Sequence, residues 1–193
     1  LGPENLGIYS IFSQIQNFVL AFGLFGLPLA VSRFVAEYEK KDRPALQEIL
    51  SSLLIFSLSA AALVSLALLA FSETVALRLY GEPRLIPLIR IGSAIVFISL
   101  VNNVLKALLQ GFRKIVLLAR LNVAIGIASV LLTLPLVMSF TLTGVVLRDA
   151  AVAAVLLGAL FYALHGFFSS SGLSLPPRFN AQAIRKVLAF AGP

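Results

Sequence analysis

The polar side chains of this sequence that could do chemistry are few, and they sit in or beside long apolar runs. Five are cations: Arg33, Arg90, Lys106, Arg120 and Arg148. Amides stand at Gln14, Asn17, Asn102 and Asn122, with Gln16 and Asn103 next to two of them. A charged group in apolar surroundings is costly, so each cation is a candidate contact for an anion. The amides could hydrogen-bond a hydroxyl-rich ligand, or tie helices together. Asn102 and Asn103 lie about 100° apart on a helix, so both cannot face one lumen squarely. Arg90, between Pro87 and Gly92, reads either as an anion contact facing a cavity or as an arginine snorkelling to an interface. Arg148 stands beside Asp149, the one acid well away from a loop, and reads as half of an interfacial ion pair or as a ligand contact.

Other chemistry is excluded by residue type. There is no cysteine, hence no disulfide framework and no thiolate metal site. The single histidine, His165, cannot build an HExxH or multi-histidine centre. As a group that titrates near neutrality it admits a proton-coupling role, set against a structural one at an interface. No paired carboxylates and no GxxxxGK[ST] loop occur, so ATP hydrolysis would need another protein. The expectation is a protein that is not an enzyme and needs no cofactor or metal.

The elements that must position these groups follow from composition. Of 193 residues, 60% are hydrophobic and 12% charged, about half the charged share of an ordinary soluble domain. Charge-free runs cover residues 5–32, 49–72, 91–105, 121–147 and 150–177. A helix crosses the hydrocarbon core with about 20 apolar residues, and four of these runs suffice unaided. Transmembrane strands would alternate apolar and polar residues, which Leu53-Leu54-Ile55-Phe56 does not. The reading is an all-α, polytopic transmembrane bundle with spans at about 7–32, 49–71, 85–108, 115–140 and 144–167. Residues 1–168 form the bundle, and 169–193 a cytoplasmic linker with the start of a further span.

The net charge of +7 reads as topology rather than nucleic-acid binding, because no basic run is interleaved with stacking aromatics. Arg33, Lys40, Lys41 and Arg43 share one side with Lys106, Arg113, Lys114 and Arg120, and with Arg178, Arg185 and Lys186. The other side holds Arg78 and Arg84, with Arg90 and Arg148 ambiguous. The positive-inside rule therefore places the N-terminus of this segment outside and its tail in the cytoplasm. Glu37/Lys41 and Glu39/Arg43 are spaced for helical ion pairs, which predicts a short interfacial helix over 36–43. Gly81-Glu82-Pro83 predicts a turn, Asn180 a helix cap, and Pro135 a kink. Gly23, Gly26, Gly126 and Ser129 read as sites of close helix contact. Leu1-Gly2-Pro3 offers no signal peptide, and an apolar helix begins near Ala189, so both ends read as cut from a longer chain.

Three stretches carry a family likeness. Leu1-Gly2-Pro3-Glu4-Asn5-Leu6-Gly7-Ile8-Tyr9 resembles the LGPExxGxY segment after the first span of polysaccharide flippases. Gly26-Leu27-Pro28 through Arg33 to Ala36-Glu37-Tyr38 resembles their GLPxxxxRxxAEY, and Ala107-Leu108-Leu109-Gln110-Gly111 the turn after their fourth span. The chain thus resembles spans two to six of such a flippase, plus the start of the seventh, within the multidrug/oligosaccharidyl-lipid/polysaccharide exporter superfamily. The resemblance implies part of the N-terminal six-helix lobe of a two-lobed transporter. It implies a plasma-membrane protein that moves polyprenyl-pyrophosphate-linked oligosaccharides between leaflets by alternating access, for polysaccharide biosynthesis. Its partners would be the bilayer, that lipid-linked sugar and the second helical lobe of the same polypeptide, and not nucleic acid. Arg33, Arg90, Lys106, Arg120 and Arg148 would then be candidate cavity cations for phosphate, and Gln14, Asn17, Asn102 and Asn122 candidate sugar contacts. Relatives place cavity arginines near the matched position of Arg33, whose alternative role is a plain topological anchor. Lys106 and Arg120 read as phosphate contacts at the inner entrance or as anchors of the same kind. A cation-coupled multidrug exporter of the same superfamily is the alternative within transport, and a non-transporting scaffold the alternative outside it.

Overall fold

Proline and glycine set where the helices begin. The computed structural model describes residues 2–24, 26–39 and 43–171, except for the side chains of 43–45, 134, 137–142 and 170–171. Every regular element among the described residues is helical. The expected Glu37/Lys41 and Glu39/Arg43 pairs, the tail cations Arg178, Arg185 and Lys186, and the Asn180 cap involve groups outside the described residues. Helix α1, Pro3–Phe22, opens on Pro3, whose missing N–H costs nothing in a first turn, and carries Glu4 where the helix dipole favours an acid. The chain then breaks. Gly26 sits at φ 75°, a left-handed conformation that no helix continues through, and Pro28 has no N–H to restore the ladder. Helix α2, Leu27–Tyr38, therefore leaves at 41° to α1. The sequence reading carries one helix through 7–32, and Gly26 and Pro28 are why the structure divides it.

Helix α3, Arg43–Ala70, is followed by a π-helical turn at Thr74–Leu79 and the Gly81-Glu82-Pro83 turn. Ser51, Ser52 and Ser59 donate to carbonyls four residues back, which satisfies their hydroxyls inside the helix. Helix α4, Leu85–Gly111, is the hub: it packs against α1, α2, α3 and α5, so its buried residues appear on every face. Two of its glycines admit that packing. A Cβ on Gly92 would lie 2.5 Å from Cε2 of Phe12, and one on Gly111 would lie 2.5 Å from Cβ of Val35 and 2.8 Å from the Ser32 carbonyl oxygen. Among the glycines expected to serve contacts, Gly23 lies against Leu100. Among the described residues Gly26 and Gly126 have no such neighbour, and Gly26 serves by its backbone conformation instead.

Helix α4 ends in a Schellman motif. The Lys114 N–H reaches the Leu109 carbonyl and the Arg113 N–H the Gln110 carbonyl, both at 2.9 Å. The left-handed position falls on Arg113, at φ 56°, rather than on the usual glycine. That conformation costs a side-chain-bearing residue about 1 kcal/mol, partly offset because glycine is freer when unfolded. Arg113→Gly is therefore expected to stabilise the protein by about 0.5 kcal/mol. A lower midpoint of thermal unfolding in detergent would contradict this.

Helical backbone then continues through α5, Ile115–Ser171. A straight helix of that length would run about 85 Å, nearly three times the hydrocarbon thickness. It is not straight. The Phe112 ring, just before it begins, and the Phe167 ring, near its end, lie 4.7 Å apart, and Arg148 donates to Ser129, which in a straight helix would be about 28 Å away. Helix α5 is a hairpin that reverses between Ser129 and Arg148, and Pro135, a helix breaker, lies in the reversing stretch. Its arms, Ile115–Thr133 and Thr143–Ser169, are each long and apolar enough to cross a membrane, as are Leu46–Ala70, Leu85–Gly111 and the bent α1–α2 pair.

Candidate functional site

Helix α1 presents a polar face in an otherwise apolar bundle. Ile8 and Phe12 bury one side of it against α4. The opposite side is exposed and carries Ser10, Gln14 and Asn17 at intervals of four and three residues, one stripe along the helix. Asn17 Nδ2 lies 3.5 Å from Ser13 Oγ, which extends the stripe to a second hydroxyl. Gln16 has turned inward beside Gly92, with its amide nitrogen buried and without a hydrogen-bond partner among the described residues.

At one end of this face lies a four-residue polar network. Tyr9 Oη donates to Asp149 Oδ2 at 3.0 Å, across 140 residues of sequence. Arg148 Nε stands 3.2 Å from Asp149 Oδ1, a charge contact without hydrogen-bond alignment, and Arg148 Nη1 donates to Ser129 Oγ at 3.1 Å. The network joins α1 to both arms of α5. Arg148 and Asp149 are each 23% exposed, so the pair is neither in bulk solvent nor in the dry core. Tyr9 entered the sequence reading only as a motif residue and Ser129 only as a helix-contact serine, neither as a ligand contact. Nothing local joins them to this network, because their partners are distant along the chain.

The five candidate cations do not converge. Arg90 and Arg148 lie toward the end where α4 begins; Arg33, Lys106 and Arg120 lie toward the end where α4 meets α5. About 24 Å of helix rise separates Arg90 from Lys106. Arg90 pairs with Glu73 at 2.8 Å on an exposed surface, the geometry of an interfacial arginine. Arg84 beside it pairs with Glu4 at 2.7 Å, tying the start of α1 to that of α4. Exposed pairs of this kind contribute about 0–1 kcal/mol each. Arg33 is exposed on α2, one residue beyond the Ser32 carbonyl that abuts Gly111. Lys106 is half-buried on α4, and Arg120 is exposed on the first arm of α5.

The amides divide as well. Gln14 and Asn17 share the exposed face of α1. Asn122 is exposed on the first arm of α5. Asn102 is buried, and its Nδ2 donates to the Ala153 carbonyl at 3.0 Å, which fastens α4 to the second arm of α5. That is the helix-tying alternative for this residue. Asn103 beside it is half-buried.

The whole chain, residues 1–193, matches a protein family described as polysaccharide biosynthesis protein. The chain belongs to that family. No curated protein and no solved structure matches it. The helical bundle is thus that of a multi-pass membrane protein of the polysaccharide biosynthesis family, with a polar face on α1 and an ion-paired network at one end of it.

Proposed function

We propose that the protein moves lipid-pyrophosphate-linked oligosaccharides across the plasma membrane by alternating access, in polysaccharide biosynthesis. The bundle described here would form part of one of its two lobes. The observation that supports this best is the exposed stripe of Ser10, Gln14 and Asn17 on the side of α1 opposite Ile8 and Phe12. Hydrocarbon is a poor neighbour for amides, so such a face suits a water-filled passage or a ligand rich in hydroxyl groups. The family supplies the polysaccharide context. Arg148, at one end of the stripe, is the cation best placed to meet a phosphate as the sugar passes. Arg33, Lys106 and Arg120 at the other end would meet it at the opposite entrance. On this reading no covalent intermediate forms, and the residues bind and release rather than catalyse.

The test is translocation of a fluorescent lipid-linked oligosaccharide by the full-length protein in vesicles. Changing Gln14 and Asn17 to leucine together keeps the helix but removes the polar face. Initial rates are expected to fall at least about fivefold, since two ligand hydrogen bonds at about 0.5–1.5 kcal/mol each are lost. Wild-type rates at equal expression and thermal stability would remove the proposal's main support. Topology is tested separately. Cysteines introduced at Glu82 and at Lys114 are expected to react with a membrane-impermeant maleimide from outside and inside the cell respectively. The reverse pattern would invert the orientation proposed here, in which the start of α1 is outside.

A further inference from the structure

Arg148 is paired unlike the other cations at its end of the bundle. Arg84 and Arg90 reach acids on other segments, Glu4 and Glu73, through aligned hydrogen bonds of 2.7 and 2.8 Å. Arg148 faces the acid next to it in sequence. Adjacent residues on a helix point about 100° apart, so these two side chains cannot meet as an aligned fork. Arg148 Nε stands 3.2 Å from Asp149 Oδ1, yet it is buried and without a hydrogen-bond partner among the described residues. Its Nη1 donates to a neutral group, Ser129 Oγ. Asp149 is held elsewhere, because its Oδ2 accepts from Tyr9 on α1 at 3.0 Å. The carboxylate is thus fastened by one oxygen to α1 and lends the other, loosely, to Arg148.

Resting on the reading that the phosphate of the ligand passes Arg148, we infer that Asp149 is a built-in competitor for that phosphate. It neutralises Arg148 until a phosphate oxygen takes its place at the guanidinium, and Tyr9 keeps hold of the carboxylate throughout. Burial explains why a partner is needed: an arginine only 23% exposed is costly without an opposite charge. Geometry explains why the partner is a loose one. An acid on another helix, aligned as Glu4 and Glu73 are, would remove the cost but occupy the donors a ligand requires. Asp149 removes it and leaves Nε unbonded, on a group that binds phosphate best through two parallel N–H donors. Once displaced, the carboxylate repels the bound phosphate and favours its release. A passage depends on that balance, with binding strong enough for entry and weak enough for exit.

Binding of farnesyl pyrophosphate to the full-length protein in detergent, measured by titration calorimetry with farnesol as background, tests the competitor role. Asp149→Asn removes the charge, while its amide oxygen can still accept from Tyr9. This variant is expected to bind the probe at least about tenfold more tightly, because a like charge beside the bound anion is gone. Its maximal rate of translocating the fluorescent lipid-linked oligosaccharide is expected to fall, since release slows. In the double variant, Arg148→Gln with Asp149→Asn, no charge is left unpaired and the tighter binding should vanish. Asp149→Ser, whose hydroxyl can also accept from Tyr9, takes the place of the asparagine variant should that one fold poorly. Equal or weaker binding by Asp149→Asn, with a further loss in the double variant, would overturn the competitor role and leave Arg148 a phosphate contact. Tighter binding that survives in the double variant, or parental affinity in both, would show that the phosphate does not meet Arg148. That result would overturn the competitor role together with this part of the transport reading. Tighter binding at an undiminished rate would overturn the role in release.

Discussion

Replacing Gly111 by alanine is expected to destabilise the protein by about 2 kcal/mol, and by valine considerably more. The single methyl would meet the Val35 Cβ at 2.5 Å and the Ser32 carbonyl oxygen at 2.8 Å. Both are fixed atoms of α2, a backbone oxygen and a Cβ, so no rotamer change makes room. Helix α2 itself must move off α4, taking with it Val31 and Val35, which are fully buried there. Membrane helices gain little from hydrophobic exclusion once inserted, so lost close packing is not readily replaced. Gly126→Ala provides the control. A Cβ there meets nothing within 4 Å among the described residues, and alanine is the better helix former by about 1 kcal/mol. Thermal unfolding of the two variants in the same detergent checks the contrast. Equal midpoints would mean that the α2–α4 contact does not depend on Gly111.

Asp149→Ala is the second substitution with a large expected effect. It leaves Arg148 without its counter-ion and Tyr9 without its acceptor, in a setting only 23% exposed. Orphaning a partly buried charge costs about 2 kcal/mol or more. Replacing both members of the pair, Arg148→Met with Asp149→Ala, should recover most of that loss, because two charges no longer need partners. Tyr9→Phe removes a single hydrogen bond and should cost about 1 kcal/mol. The cycle also separates structure from transport. If the double variant regains stability but not translocation, Arg148 acts on the ligand. If it regains both, the network is a tie between α1 and the α5 hairpin and nothing more. An Asp149→Ala protein as stable as the parent would show that the network contributes to neither.

Much of this was legible in residue order because hydropathy is a local property. A sparse charge content, long uncharged runs and their lack of alternation require membrane helices wherever the chain is cut. Punctuation was legible in part. Gly81-Glu82-Pro83 reads as a turn and is one, but Gly26 reads as a packing residue within one span, and its φ of 75° makes it a helix break instead. Gln14 and Asn17 stood out as amides in an apolar run, but that Ser10 joins them on one exposed side came from the structure. Which side of α1 is covered was not legible, since Ile8 and Phe12 had to find α4 first.

The opening residues show where reading ends. By itself the sequence determined the class of protein, an all-α membrane bundle whose few cations are each conspicuous against an apolar background. Their partners belong to tertiary structure. Arg90 meets Glu73 across a turn, Arg148 meets a serine on the opposing arm of a hairpin, and Tyr9 meets Asp149 across most of the chain. The physical reason is one of range. Transfer of a side chain into hydrocarbon depends on that side chain and its near neighbours, whereas an ion pair or a glycine contact depends on ångström distances between helices. Those distances are set by the packing of every helix at once around α4.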